Sequence, residues 1–249
     1  MTQRWRDLLF AHWPIPAEEL AARVPSGLQV DTFDGSAWLG VVPFWMDRIQ
    51  LRGLPRIPGA SRFPELNLRT YVREKNTNRA GVYFFCLEAA NLLAVAMARL
   101  AFNLPYHWAR MSIRPRGDRE FTYQSERLFS PKPVRFRAHY RGLGKMRMLE
   151  QSQPGTIEYF LTERYCLFTV NPRGELLRGD IHHEPWPLEA AEAEIELNDL
   201  PAAYGIRMPE IPPLLHYSRE LAVYIWALDR APLLPLKGLE AVGARPAEI

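Results

Sequence analysis

The chain has 249 residues, of which 47% are hydrophobic, 12% aromatic and 24% charged. That makeup suits a folded globular protein and excludes a disordered, collagen-like or low-complexity chain. The formal net charge is only +3, with acids and bases interspersed, so there is no polybasic arm and no case for nucleic acid.

The 22 prolines are spread along the chain and punctuate many short elements, as in a β-rich domain. Pro16 followed by AEELAARV predicts a short helix with proline in its first turn and acids near its N-terminus. LQVDTF, a DG turn and SAWLGVVPFWM predict a β-hairpin. LRGLPRIPGASRFP reads as a loop. ELNLRTYV alternates cleanly, with Glu65, Asn67, Arg69 and Tyr71 on one face and Leu66, Leu68, Thr70 and Val72 on the other.

KNTN is a turn, and AGVYFFCLEA is a buried strand. AANLLAVAMARLAFNL is the strongest helix, apolar at 92, 93, 96, 97, 100 and 104 and stopped by Pro105, and is expected to be buried or half-buried. FTYQSERLF, VRFRAHYRG, TIEYFLTERYCLFTVN, GELLRGDIHHEP and the segment around HYSRELAVYIWAL all read as strands. WPLEAAEAEIEL is ambiguous, its alanine and glutamate favouring a short helix. The sum is a mostly β, α+β structure of curved antiparallel strands with one mid-chain helix. A single domain over residues 1–249 is the simplest organisation.

Cys86 and Cys166 each lie in an apolar run with no C-x-x-C, and read as buried structural thiols in a reducing compartment. The N-terminal segment has no signal-peptide core, and the longest apolar run, 92–98, is too short to span a bilayer. A cytoplasmic protein without membrane contacts is expected.

Four groups of residues could carry chemistry. The face Glu65, Asn67, Arg69, Tyr71 is plain surface if it meets solvent. If it points into a barrel, it puts a carboxylate, an amide, a guanidinium and a phenol in one cavity, a set able to bind a small anion and move a proton. Tyr106, His107 and Arg110 follow the helix stop; the histidine there is an acid–base candidate or, more often, a structural residue. Arg99 interrupts the apolar helix and is either buried, needing a carboxylate or a bound anion, or the one solvent-facing position. Glu163 and Tyr165 share a strand face, as do Tyr123, Ser125 and Arg127; spacing does not choose between cavity and surface for either. Asp180, His182, His183 and Glu184 look metal-like in composition, but adjacent histidines on a strand point to opposite faces, so no metal is expected. There is no P-loop, G-x-G-x-x-G or G-x-S-x-G, which argues against nucleotide, dinucleotide and serine-hydrolase chemistry.

Several blocks, in order over roughly residues 5 to 190, resemble the YqjF-like family of uncharacterised bacterial proteins. They are HWPIPAEEL, RVPSGLQVDTFDGSAWLGVVPF, FPELNLRTYV, GVYFFCLEA, LPYHWARM, LTERYCLFT and IHHEPWPL. That family is in turn distantly similar to acetoacetate decarboxylase, through VPSGLQVD, AVAMARLAFNLPYH and ELNDLP. The resemblance implies a cone-shaped, mostly antiparallel β-barrel around a central pocket, with a few helices, and leaves a homo-oligomer as an expectation.

The decarboxylase forms a Schiff base through a lysine whose pKa is lowered by apolar surroundings and a second cation. That pair follows the proline after the helix, where this chain has Tyr106 and His107. Lys75, Lys132, Lys145 and Lys237 all fall in loops or turns. The expectation is therefore a pocket for a small anionic or carbonyl-bearing molecule, with no cofactor and with acid–base rather than imine chemistry. Glu65 and His107 would carry protons; Arg69, Arg99 and Arg110 would hold the anion; Asn67, Tyr71 and Tyr106 would complete the site. A non-catalytic sensor on the same scaffold and a structural or interaction protein are the alternatives.

Overall fold

The computed structural model describes residues 1–50, 62–144 and 153–230. Most of the loop read over LRGLPRIPGASRFP, together with Lys145 and Lys237, lies outside the described residues. In chain order the elements are β1 (Thr2–Ile15), α1 (Ala17–Ala21), β2 (Leu28–Val30), β3 (Ala37–Gln50), β4 (Phe63–Glu74), β5 (Ala80–Ala89), α2 (Leu92–Phe102) and β6 (Tyr106–Gly117). There follow β7 (Glu120–Arg127), β8 (Arg135–Gly142), α3 (Ile157–Thr162), β9 (Cys166–Val170), β10 (Leu176–His183), β11 (Leu188–Asn198), α4 (Leu200–Ala203) and β12 (Leu214–Arg230).

The strands form one mixed sheet that closes on itself. Its spine is the antiparallel arc β12–β1–β3–β4–β5. The two outer strands of the arc each change partner midway. β5 pairs with β9 through Val82 and Tyr83, and with β6 through Leu87–Ala89, in both cases parallel. β12 pairs with β11 around Tyr217 and with β10 from Val223 to Arg230. One closure therefore runs through β6, β7, β8 and β11, and the other through β9 and β10. The sheet is mostly antiparallel, as expected, and α2 accounts for its parallel β5–β6 step: a parallel pair needs a crossover, and this helix supplies it.

Both faces of the arc are largely buried over its central strands. On one face Leu9, Ala11, Val41, Leu66 and Leu68 pack with Tyr123, Phe136 and Tyr217 of the larger closure. On the other, Leu8, Phe10, Val42 and Phe44 pack with Leu167, Ile181 and Val95, from the smaller closure and α2. This explains why β4 is buried along nearly its whole length although its two faces differ in polarity. An extra residue in β5, between Phe84 and Cys86, shifts the register opposite Leu68 and Arg69 and leaves β4 itself extended.

Several local expectations are corrected. The DG turn forms, with Asp34 at φ 48° and Gly35 at φ 78°, but only Phe33 and Ser36 bridge across it. No β2–β3 hairpin exists, because both edges of β3 are taken by β1 and β4; β2 pairs with β4 instead. The first half of TIEYFLTERYCLFTVN is α3, capped by Thr156 Oγ1, which accepts from Tyr159 N at 3.2 Å. The WPLEAAEAEIEL segment is strand β11. Glu192 and Glu196 line its outer face and meet Arg141 at 2.6 Å and His139 at 3.0 Å across the ladder, so cross-strand pairing overrides helix propensity. β1 and β6 were not anticipated as strands.

The mid-chain helix α2 buries only Val95, while Leu92, Leu93, Met97 and Leu100 are exposed. Ala94 and Ala98 are half-buried, and with Leu93 and Met97 they line a cavity, so the helix covers an open volume rather than a packed core. Asn91 Oδ1 caps its start, and Asn103, at φ 46°, ends it two residues before Pro105. No helix among the described residues is long and apolar enough to cross a membrane.

Candidate functional site

A cavity of about 350 Å³ lies between the arc, α2 and the smaller closure. Its wall is mainly apolar, with Trp5, Phe44, Phe84, Leu87, Leu167 and Ile181 among its residues. Against this background β4 presents Glu65, Asn67 and Arg69, and β6 presents Tyr106. The alternation read from ELNLRTYV thus resolves inward: these β4 side chains are 2%, 5% and 7% exposed.

Glu65 sits near the α2 end of β4. Tyr106 Oη donates to its Oε2 at 3.0 Å, and no other protein group among the described residues bonds the carboxyl. Burial removes water from the carboxylate and pushes the pKa up to about 8, only partly opposed by the Tyr106 hydrogen bond. At neutral pH Glu65 is therefore a carboxylic acid with a proton to give. Tyr106 is driven well above the phenol range by the same burial and by the neighbouring carboxyl, so it remains a hydrogen-bond donor.

Arg69 occupies the other end of the row. Its Nη2 donates to Leu161 O at 3.2 Å and Tyr71 Oη at 3.3 Å. No carboxylate lies within ion-pair distance among the described residues, and its Nε is buried without a partner, as is Asn67 Oδ1. By contrast, the nearby Arg164 is paired with Asp31 at 2.7 Å. A buried cation without a counter-ion is costly, so the geometry of Arg69 suits a site completed by an anion.

Tyr71 does not line the cavity; it stands behind Arg69 as a support. His12, completely buried, lies 2.6 Å from Tyr71 Oη through Nε2. Burial, with Arg69 and His216 nearby, lowers the His12 pKa well below its usual value, so the ring is neutral and accepts a hydrogen bond from the phenol. Gly40 makes room for this arrangement. It pairs with His12 on one side and Arg69 on the other, and a Cβ there would fall 3.0 Å from His12 Nε2 and 3.4 Å from Arg69 Cγ. Neither His12 nor Gly40 was singled out from the sequence, although a glycine inside the apolar run AWLGVVPF signals a close approach.

The remaining expected site residues lie elsewhere. His107 alternates away from Tyr106 on β6 and is half-buried, 3.3 Å from Tyr204 Oη, with its pKa lowered to about 4 by burial and by Arg127 and Arg99. Strand alternation removes it from the cavity that Tyr106 enters. Arg99 is on the exposed side of α2, and Arg110 is an exposed partner of Glu126 at 3.4 Å; neither lines the cavity. Arg99 needs no buried partner because the helix turns it outward.

Tyr123, Ser125 and Arg127 point into the lobe behind β4. There Tyr123 Oη donates to Glu65 O at 2.8 Å and Arg127 pairs with buried Glu88. Glu163 accepts from Trp186 N at 3.0 Å and from Tyr165 Oη at 2.5 Å, outside the cavity wall. His182 is exposed and His183 buried, as adjacent strand positions require. No group of three or more potential metal ligands exists among the described residues. The described lysines, Lys75 and Lys132, are exposed and do not line the cavity. Burial pushes the thiols of Cys86 and Cys166 up to about 12, away from reactivity.

The fold is shared with solved structures of low sequence identity. The enduracididine biosynthesis enzyme MppR superposes with a TM-score of 0.64 at 11% identity, over 92% of this chain and 86% of that one. An acetoacetate decarboxylase-like enzyme from Sphingomonas wittichii gives 0.60 at 14% identity, over 92% of each chain. Acetoacetate decarboxylase from Legionella pneumophila gives 0.56 at 13%, over 92% and 87%. In sequence, the chain is 46% identical to the uncharacterised protein YqjF of Bacillus subtilis over 230 residues, 92% of each chain. Residues 2–222 match the model of the uncharacterised conserved proteins called DUF2071, and the chain belongs to that family.

Proposed function

We propose that the β4 cavity binds a small, carbonyl-bearing organic anion, that Arg69 holds its negative group, and that Glu65 transfers a proton to it without a Schiff base. The observation that carries this reading is the buried guanidinium of Arg69, which meets no carboxylate among the described residues, in the wall of a mainly apolar cavity. The protonated Glu65 on the same face supplies an acid, and the apolar wall suits a hydrocarbon body. Among similar folds, MppR has been described in complex with pyruvate, a small keto acid. A purely structural role for this face would suit a solvent-facing strand, and Glu65, Asn67 and Arg69 are buried.

The test is a thermal-shift and calorimetric panel of keto acids, hydroxy acids, aromatic acids and neutral carbonyl compounds. Acids should raise Tm in a dose-dependent way and neutral carbonyl compounds should not. Arg69→Ala should weaken the best acid by about 10-fold or more, the worth of one charge-assisted hydrogen-bond set. Unchanged affinity in that variant removes Arg69 from the site. Borohydride with a keto acid should leave the intact mass unchanged; an adduct would instead establish imine chemistry. Conversion of a bound acid separates an enzyme from a sensor.

A further inference from the structure

The site has its acid and its cation at opposite ends. Glu65 and Arg69 lie on one face of an unbroken strand, four positions apart, and the extra residue that shifts the local register belongs to β5. Their Cα atoms are therefore separated by about 13 Å at the usual strand rise. Neither side chain is free to close this gap. Glu65 is held by Tyr106, while Arg69 is tied in its own row by Tyr71 and Leu161, with Tyr71 held in turn by His12. Between them stands Asn67, 5% exposed, with its Oδ1 unpartnered. The row is flanked on the neighbouring strands by apolar Phe44, Leu87 and Phe84, and Leu93, Met97 and Leu167 also line the cavity.

This spacing does not suit an α- or β-keto acid. In those molecules the carbonyl is one or two carbon atoms from the carboxylate, so a carboxylate on Arg69 leaves the carbonyl far from Glu65. We infer that the ligand is an elongated carboxylate whose second polar group, a carbonyl or hydroxyl, lies at the far end of an apolar chain, with the carboxylate on Arg69 and the remote oxygen on Glu65 and Tyr106. The cavity volume of about 350 Å³ equals that of roughly a dozen water molecules. That limits the ligand to about the size of 8-hydroxyoctanoate. The inference rests on the proposed anion site and adds to it where the carboxylate and the second polar group stand.

The test compares 8-hydroxyoctanoate, octanoate, 4-hydroxybutanoate and pyruvate by calorimetry on the unmodified protein. A hydroxyl added to a chain buried in an apolar cavity weakens binding unless a polar group meets it. The expected result is that 8-hydroxyoctanoate binds at least threefold more tightly than octanoate and at least tenfold more tightly than either short acid. Glu65→Leu should reverse the order of the two eight-carbon acids, while Arg69→Ala should weaken both by the same factor. Octanoate binding as well as its hydroxy form, or pyruvate binding as well as either, overturns the spacing argument. Because the ligand comparison uses unmodified protein, it holds even if Glu65→Leu does not fold. Binding of short acids that is lost in Arg69→Ala would retain the anion site and refute only the remote group. Absence of binding by every acid would refute both.

Discussion

Replacing Glu65 by glutamine removes one titrating group and preserves almost all of its shape. The glutamine oxygen can still accept from Tyr106, which now bonds Glu65 Oε2 at 3.0 Å. In the folded protein the Glu65 pKa is raised from 4.5 to about 8 by burial. Between those values the folded state holds a proton that the unfolded state has lost. Stability is thus full below about pH 4.5 and falls as pH rises through the window, by about 1.4 kcal/mol per pH unit and about 5 kcal/mol in total. That is a large fraction of the net stability of a typical domain. Urea unfolding of both proteins at intervals from pH 4.5 to 8.5 gives the difference directly, because every other titrating group is common to the two. The glutamine variant should be close to wild type at the acid end and more stable at the alkaline end. A difference that stays flat across the range refutes the argument, since it would mean that Glu65 ionises in the cavity as it does in water.

Gly40→Ala should destabilise the protein by about 1–3 kcal/mol, because its Cβ displaces His12 or Arg69 from a closely packed row; the urea midpoint measures it, and a neutral result would mean that the row has slack. The same variant should weaken acid binding, through the loss of the Tyr71 and His12 support, and calorimetry reads that separately. Cys86 and Cys166 should react with a thiol reagent at pH 8 only after denaturant is added; rapid modification of the native protein would contradict their burial and raised pKa values.

Much of the polar face of the cavity was legible in the sequence because one strand carries it. Period-two alternation in ELNLRTYV put Glu65, Asn67 and Arg69 together, and the structure needed only to decide which way that face points. Nothing local could decide this, because inward and outward faces of an antiparallel strand look alike until the strands beyond them are placed. His107 misled for the same reason in reverse: its distance along the chain from Tyr106 is one residue, and one residue on a strand is the opposite face. Arg99 and the apolar positions of α2 misled because an apolar helix is normally taken to cover a packed core, whereas this one covers an open volume. Thr156 carried a capping signal at the start of α3, but the β-branched and aromatic residues that follow it obscured that signal. β11 shows the converse, a segment rich in helix formers held extended by ion pairs across to β8.

The change of partners along β5 and β12 has a consequence for how the cavity could be altered over evolutionary time. A slip of either strand by one residue would have to be accommodated simultaneously in two closures, so the arc is locked in register twice over. The lobe behind it is filled with side chains and has little latitude. β9 and β10, which with α2 bound the cavity from outside, meet the arc mainly along the halves of β5 and β12 that the other closure does not use. They behave as an exchangeable cover over a fixed floor. Pocket length and polarity can be retuned there by substitutions that never touch the strand that carries Glu65 and Arg69.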